Sequence, residues 1–574
     1  MSMEGYGMFR RRARRRVRTG SIVMSNDRGF NRKSTHSISL IAVTAFLHKL
    51  LAPSMAVLAL HSELSRREGN DDRAQRGNWR CALPAFGLAL CLSGCAAFRS
   101  YDTELYRTLD EASAGNVDNA IGILESNNRG ASKDLLYYLE LGMLQRLGDR
   151  YAESQKSWMS ANERVHAWEH TAQTDPEKLL PGAASYLIND RLRPYEGHDY
   201  EKVMLLTYIA LNHLTMGEYG NARVAITQMH ELEAVIAELR SKETTKVEQD
   251  AEKRGARTSF KELNGYPVQT IDNPEVNALK NSYQSALSHY LAGFVYEALG
   301  EPSLAAPGYR LANELQPNRP LLEEALRGLD QRVSARKDGL TDVLFVIGSG
   351  TAPALRSRQF HLLVLAKDKP ILIPISFPVM VATSTPYLPV QLKLNDDQSL
   401  PVTPITSIDL MARRGLQDDM PGIMLRATIR STAKAVMQYQ LQQQAQHQDK
   451  NSAVFGLAAL AVTIGSAATE LADERTWRTL PSEIAIARAR LPAGTHTVTL
   501  QTPESLRSVR LNVSGRYAVI DLRLLRHQVF VQPREATVSG GGRQPADAGA
   551  AAAPSTGGGP GTLKQQPQTM ETPK

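Results

Sequence analysis

A multi-domain α + β chain is predicted, in which a repetitive α-helical solenoid leads into a β-sandwich-like domain with a helical insertion, followed by a disordered tail. Three observations carry this reading. Residues 102–335 place Leu, Ala and Tyr at three-to-four spacing with almost no alternation, which is the helical period. From Asp342 onward, short runs rich in branched residues and bounded by Pro and Gly read as strands. Beyond Arg534 the chain is mostly Gly, Ala, Pro, Gln and Ser, too poor in apolar area to build a core. The 574 residues exceed what one hydrophobic core serves, so two or three domains are expected.

The N-terminal region comes first. Leu92-Ser93-Gly94-Cys95 closes an apolar run over residues 82–92 behind Arg73, Arg76 and Arg80. A basic start, an apolar segment and small residues at a cleavage point define a secretory leader, and a thiol directly after the cut makes it a lipoprotein signal. Residues 81–94 are therefore read as the signal, Cys95 as the lipidated residue carrying acyl chains such as palmitate, and 95–101 as a tether. Residues 1–80, with the run Arg10-Arg11-Arg12-Ala13-Arg14-Arg15-Arg16, are expected to be an overextended start or a disordered extension.

Charge supports that division. The whole-chain +8 becomes −2 from Cys95 on, where 51 Lys and Arg face 53 Asp and Glu, so the basic balance belongs to the leader. A near-neutral mature chain gives no electrostatic reason to expect nucleic acid. Cys81, Cys91 and Cys95 are the only cysteines, which excludes a disulfide framework and a thiolate metal site from the mature part.

In the helical region, Gly300-Glu301-Pro302-Ser303-Leu304-Ala305, followed by Tyr309, Ala312 and Pro317, matches the second half of a tetratricopeptide (TPR) repeat. Gly293 and Tyr296 fall where the first helix of such a repeat needs a small residue and an aromatic. A second copy lies at Gly217, Tyr219 and Ala222, preceded by Ala210; a looser one at Leu147-Gly148-Asp149-Arg150-Tyr151; and a degenerate one at 115–124. One repeat cannot bury its apolar face alone, so at least two hairpins are expected to stack. The charge-rich stretch 231–261 is expected to carry a helix into solvent, with a partner-gripping arm as the alternative.

The β-rich domain is placed at 340–534, with strands at 343–347, 361–365, 371–375 and 390–394, and a last group after Pro492. Its insertion, about 408–486, is expected to hold one long helix over 423–446 that sets Arg426, Arg430 and Lys434 four apart on one face. The apolar segment 454–471 is too short and too polar to span a membrane and reads as a buried hairpin helix, with a membrane-dipping or partner-binding helix as the alternative.

Ala472-Asp473-Glu474-Arg475-Thr476-Trp477-Arg478-Thr479-Leu480-Pro481, continued by Glu483-Ile484, Ala487-Arg488 and Leu491 to Gly494, resembles the signature block of a poorly characterised family of bacterial envelope lipoproteins. These combine TPR-like helices with a β-rich C-terminal domain, and the resemblance covers residues 95–531. It implies a lipoprotein facing the periplasm and transfers no catalytic residue. On physical grounds, Trp477 with Leu480 and Pro481 would pin the end of the insertion against the sheet, with Asp473 paired to Arg475 or Arg478. The sharper reading makes Asp473, Arg475, Trp477 and Arg478 a recognition surface, and clustering with Arg426 and Arg430 would favour it.

No chemistry is legible. Gly348-Ser349-Gly350 lacks the rest of a phosphate loop, a dinucleotide fingerprint or a nucleophile elbow. His361, His496 and His527 lack zinc-ligand spacing, and Asp396-Asp397 and Asp418-Asp419 are merely adjacent. No enzyme activity, cofactor or metal is expected. The expected role is a lipid-anchored scaffold that binds an envelope complex such as a cell-wall synthase or an export or surface-polymer machine. Ala96 lacks the acidic inner-membrane signal, which resembles lipoproteins sent to the outer membrane. A peptidoglycan- or carbohydrate-binding module and, behind it, an envelope hydrolase are the competing readings.

Overall fold

The computed structural model describes residues 101–540 apart from 131, 181–189, 257, 335–338, 367–368, 382–385, 396, 447–470, 527 and 534–537. The lipobox Leu92, Ser93 and Gly94, the lipidation residue Cys95, the apolar segment 454–471 up to its last residue, His527 and most of the tail lie outside the described residues. The described residues all fall in one compact unit, Gly94–Lys574.

Four helical hairpins open it: α1 (Tyr101–Ala114) with α2 (Val117–Asn127), α3 (Leu135–Leu147) with α4 (Tyr151–Thr174), α5 (Asp199–Thr215) with α6 (Tyr219–Arg254), and, after the short α7 (Pro274–Ala278), α8 (Ala286–Ala298) with α9 (Pro302–Leu315). Their turns are built alike. A left-handed residue, Gly115, Asp149, Gly217 or Gly300, ends each first helix with φ between +58° and +93°. The N–H of the next residue then returns to the carbonyl five positions earlier: Asn116 to Glu111, Arg150 to Gln145, Glu218 to His213, and Glu301 to Tyr296, each at 2.8–2.9 Å. This bond satisfies a carbonyl that the helix end would otherwise leave open. The looser copy thus turns on Asp149 rather than Gly148, so that its turn lies 34 residues after Gly115 and 68 before Gly217. Those are one and two TPR lengths.

Packing repeats with the turns. Five residues beyond each left-handed residue stands a fully buried small one: Ala120, Ser154, Ala222 and Ala305. Seven residues before it stand Thr108, Gly142, Ala210 and Gly293, and four beyond the small one Leu124, Trp158, Ile226 and Tyr309, all of them buried. The two glycines belong to the two large aromatics. A Cβ on Gly293 would lie 2.6 Å from the Tyr309 ring, and one on Gly142 would run into the Trp158 indole. A Cβ on Gly308 would meet the Gly293 backbone at 2.7 Å, so α8 and α9 approach almost backbone to backbone.

After α10 (Pro320–Leu326) and α11 (Leu329–Ser334) come the strands. One sheet has the order β11-β10-β1-β7-β6, with β1 (Leu340–Ser349), β6 (Thr403–Ser407), β7 (Glu483–Pro492), β10 (Tyr517–Leu525) and β11 (Gln528–Gln532). Only β1 and β10 run parallel in it. The second has the order β12-β9-β8-β4-β5, with β4 (Gln391–Leu394), β5 (Gln398–Pro401), β8 (Gly494–Gln501), β9 (Leu506–Val513) and β12 (Val538–Gly540). A separate two-stranded ribbon pairs β2 (Ala354–Ala366) with β3 (Lys369–Val381).

The first sheet lies between the helices and the second sheet. Val343, Phe345 and Ile347 of β1 share a core with Leu392, Val498 and Leu511 of the second sheet. Their neighbours Leu344 and Val346 point the other way, into a core shared with α3 to α6, α8 and α9. Alternation along a strand buried on both faces is why this segment is apolar without interruption. Its helix-facing side also carries charges. Arg488 binds Asp342 at 2.6 Å and Glu297 of α8 at 2.7 Å, and Asp521 binds the buried Arg146 of α3 at 3.0 Å.

Two expectations for the helices change. The charge-rich part of α6 does not end in solvent, because Val247 and Ala251 bury against Leu425 of the insertion helix. That helix, α12 (Ile408–Gln446), begins at Ile408 rather than 423, since Met411, Leu416, Met420 and Met424 supply an apolar stripe to the common core and Pro421 is tolerated inside it. Among the described residues no helix is long and apolar enough to cross a membrane.

Candidate functional site

The block that follows the insertion has no helix or strand from Leu471 to Thr476 and runs against the first helices of the hairpins. Two buried carboxylates hold its backbone. Glu201 of α5 accepts the Trp477 N–H at 2.6 Å, the Thr476 hydroxyl at 3.0 Å and the Tyr200 hydroxyl at 3.2 Å. Glu140 of α3 accepts the N–H of Arg478 at 2.7 Å, that of Thr479 at 3.1 Å and the Tyr101 hydroxyl at 3.0 Å. Burial pushes Glu140 up to about 7 despite those donors, because the groups that bond it are neutral.

Trp477 is fully buried, with its ring edge-on to Trp158 and Tyr208 at 6.3 and 6.2 Å. Arg478 is buried too, paired with Asp102 and bonded to the Ala352 carbonyl at 2.9 Å. Neither lines a surface, which corrects the sharper reading for these two: the indole packs against Trp158 of α4 and Tyr208 of α5, and the guanidinium ties α1 to the loop after β1.

Asp473 and Arg475 differ. They line a cleft with Arg426 and Arg430 of α12, the loop 193–198, the start of α5 and the middle of α6. Arg475 binds Asp473 at 2.7 Å, donates to the Arg193 carbonyl at 2.9 Å and stands over the Tyr195 ring at 5.2 Å. Arg426 and Arg430 reach Asp190 at 2.9 and 3.7 Å. Deeper in, Arg240 of α6 bridges Asp199 of α5 and Asp419 of α12. Burial would raise Asp199, yet Arg240 and then Lys202 hold it at about 2. Lys202 also lies 4.0 Å above the Trp168 ring. The walls thus alternate cations and carboxylates around Tyr195 and Trp168. Such a surface suits recognition of a charged, partly apolar segment. Among the described residues no cluster of three His, Cys, Asp or Glu is placed to hold a metal.

Ala210, Ala222, Gly293, Ala305, Tyr309 and Ala312 are buried at helix contacts, and Gly217 and Gly300 make the turns. Tyr296 is half-buried beneath Arg223, and Pro317 is exposed just past α9. Tyr219 does more than pack, since its hydroxyl donates to the Tyr517 carbonyl at 2.7 Å and ties a hairpin to β10. Glu140, Glu201 and Asp199 escaped sequence reading. The available signal was an acid inside an apolar helical run, as in Leu139-Glu140-Leu141.

No protein-family model matches the chain, and no curated protein matches it. Among solved structures, a tetratricopeptide repeat protein from Parabacteroides merdae ATCC 43184 is similar at 16% identity and a TM-score of 0.12, over 40% of this chain and 99% of that one. A likeness of that size carries no argument about fold or function.

Proposed function

We propose that the chain is a lipid-anchored adaptor of the bacterial envelope that binds a protein partner. In this reading the four hairpins are TPR-like repeats, the two five-stranded sheets form a sandwich, and the protein belongs with the lipoproteins that its 472–494 block resembles. Cys95 carries the lipid, and the protein faces the periplasm from the outer membrane. The partner is a component of a cell-wall, export or surface-polymer complex.

One observation carries the choice of surface. Asp473, Arg475 and Arg426, partly exposed and drawn from two separate segments of the chain, meet in one cleft, with the buried Arg430 behind them. Three inner helices, α3, α5 and α8, offer no comparable surface, because they are buried along nearly their whole length under the first sheet and the 472–482 block. With those faces filled by the chain's own segments, the cleft is the surface assigned to the partner. The test is in-cell crosslinking with mass spectrometry on the wild type, Cys95→Ala, and Arg426→Ala combined with Arg475→Ala. Recovery of one envelope complex, reduced in both variants, supports the adaptor; an unchanged set of partners in all three contradicts it.

A further inference from the structure

The β2–β3 ribbon has two outer edges of different chemistry. Its register pairs Ser357 with Pro378, His361 with Pro374 and Leu365 with Pro370. The Ser357 N–H donates to the Glu474 carboxylate at 2.8 Å, so it points away from β3. Opposed residues in an antiparallel pair exchange both bonds or neither, so Pro378, and with it Pro374 and Pro370, stands at an outward position of β3. Every second outward donor on that edge is therefore missing, the device by which edge strands resist further pairing.

The edge of β2 is the reverse. Its outward positions Gln359, His361, Leu363 and Leu365 are not proline and keep their N–H groups. No strand among the described residues pairs with them. Ser357 marks where the free stretch begins, because Glu474 and the Ala472 N–H, 2.9 Å from the Ser357 hydroxyl, cover the edge there.

We propose that this edge pairs with the same edge of a second copy of the chain. The stretch 359–365 is symmetric about Leu362. A two-fold axis there sets Gln359 against Leu365 of the partner subunit and His361 against Leu363 of the partner subunit, with all outward donors and acceptors exchanged. The interface is isologous and closes on itself. Sheet growth stops at four strands, β3-β2-β2-β3, because both outside edges are the proline-interrupted ones. A ribbon of two strands is marginal alone, and pairing makes it a four-stranded sheet. A second copy is a self-limiting occupant, since it brings with it the same proline-interrupted outer edge.

The axis gives a position-specific test. Leu362 opposes itself at a site without ladder bonds, where Cα atoms lie about 4.5 Å apart, within disulfide range. In the full chain, Leu362→Cys is expected to oxidise to a covalent dimer, whereas Val364→Cys, which opposes residue 360, is expected to stay largely uncrosslinked. Leu363→Pro removes one outward donor, as Pro374 does on β3, and is expected to abolish the Leu362→Cys dimer while leaving the circular dichroism unchanged. Two lipid anchors in one micelle would also bring chains together, so position dependence decides. Equal crosslinking at 362 and 364, no crosslinking at 362, or a dimer indifferent to Leu363→Pro overturns the proposal.

Discussion

The two halves of one short block behave as different materials. Asp473 and Arg475 sit at the edge of a charged cleft, while Trp477, Arg478 and Thr479 are threaded into the core and held by Glu140 and Glu201. A step of only a few residues separates a side chain at a partly exposed cleft from one that the fold depends on. The carboxylates around the block repeat the contrast. Asp199 and Glu140 are both buried, but Arg240 and Lys202 keep the first ionised, whereas the second meets only neutral donors and is pushed to about 7. Burial alone therefore does not fix a group's charge; its neighbours do.

The largest effect is expected at the inner half. Trp477→Ala is expected to cost ~3–5 kcal/mol by opening a cavity between Trp158 and Tyr208, measured by urea unfolding. A loss below about 1 kcal/mol would mean that the indole does not hold the block. Next is the pH response. With Glu140 near 7 in the folded chain and an ordinary value of 4.5, the folded state keeps a proton that the unfolded state releases. Stability is then highest below that window and falls as pH rises from about 4.5 to about 7, by on the order of 3 kcal/mol. Glu140→Gln is expected to flatten this contribution, which urea midpoints across the window would show. Gly142→Ala is expected to cost ~1–3 kcal/mol, because its methyl group meets the Trp158 ring. A neutral result there would show that α3 and α4 can part. The smallest effect belongs to the cleft, where Arg475→Ala is expected to cost ~1–2 kcal/mol, since it removes the partly solvated Asp473 pair together with the bond to the Arg193 carbonyl.

Much of the fold was legible because turn chemistry and periodicity are local. Gly217 and Gly300 announce left-handed turns, and Ala222 and Ala305 the close contacts after them. Asp149 was harder, since Gly148 beside it offers the more obvious left-handed residue, yet the aspartate takes φ 58°. The change from helix to strand near residue 340 was also visible. That Leu344 and Val346 would share a core with the helices was not, because a continuous apolar run shows burial on two faces without naming what covers each. The site was half legible. Trp and Arg suggested recognition, but composition cannot tell a buried Arg478 with Asp102 from a cleft-facing Arg475 with Asp473. Glu140 and Glu201 act through backbone N–H groups 338 and 276 positions away, and no pattern within either helix reveals that pairing.

The most direct test sets the cleft against the core in one experiment: Arg426→Ala with Arg475→Ala beside Trp477→Ala, each followed by urea midpoint and by partner recovery after crosslinking in cells. The double arginine variant is expected to keep a near-native midpoint and lose its partner, while the tryptophan variant loses its midpoint. A double variant that keeps its partner, or that unfolds as readily as Trp477→Ala, would overturn the division between a docking cleft and a structural core.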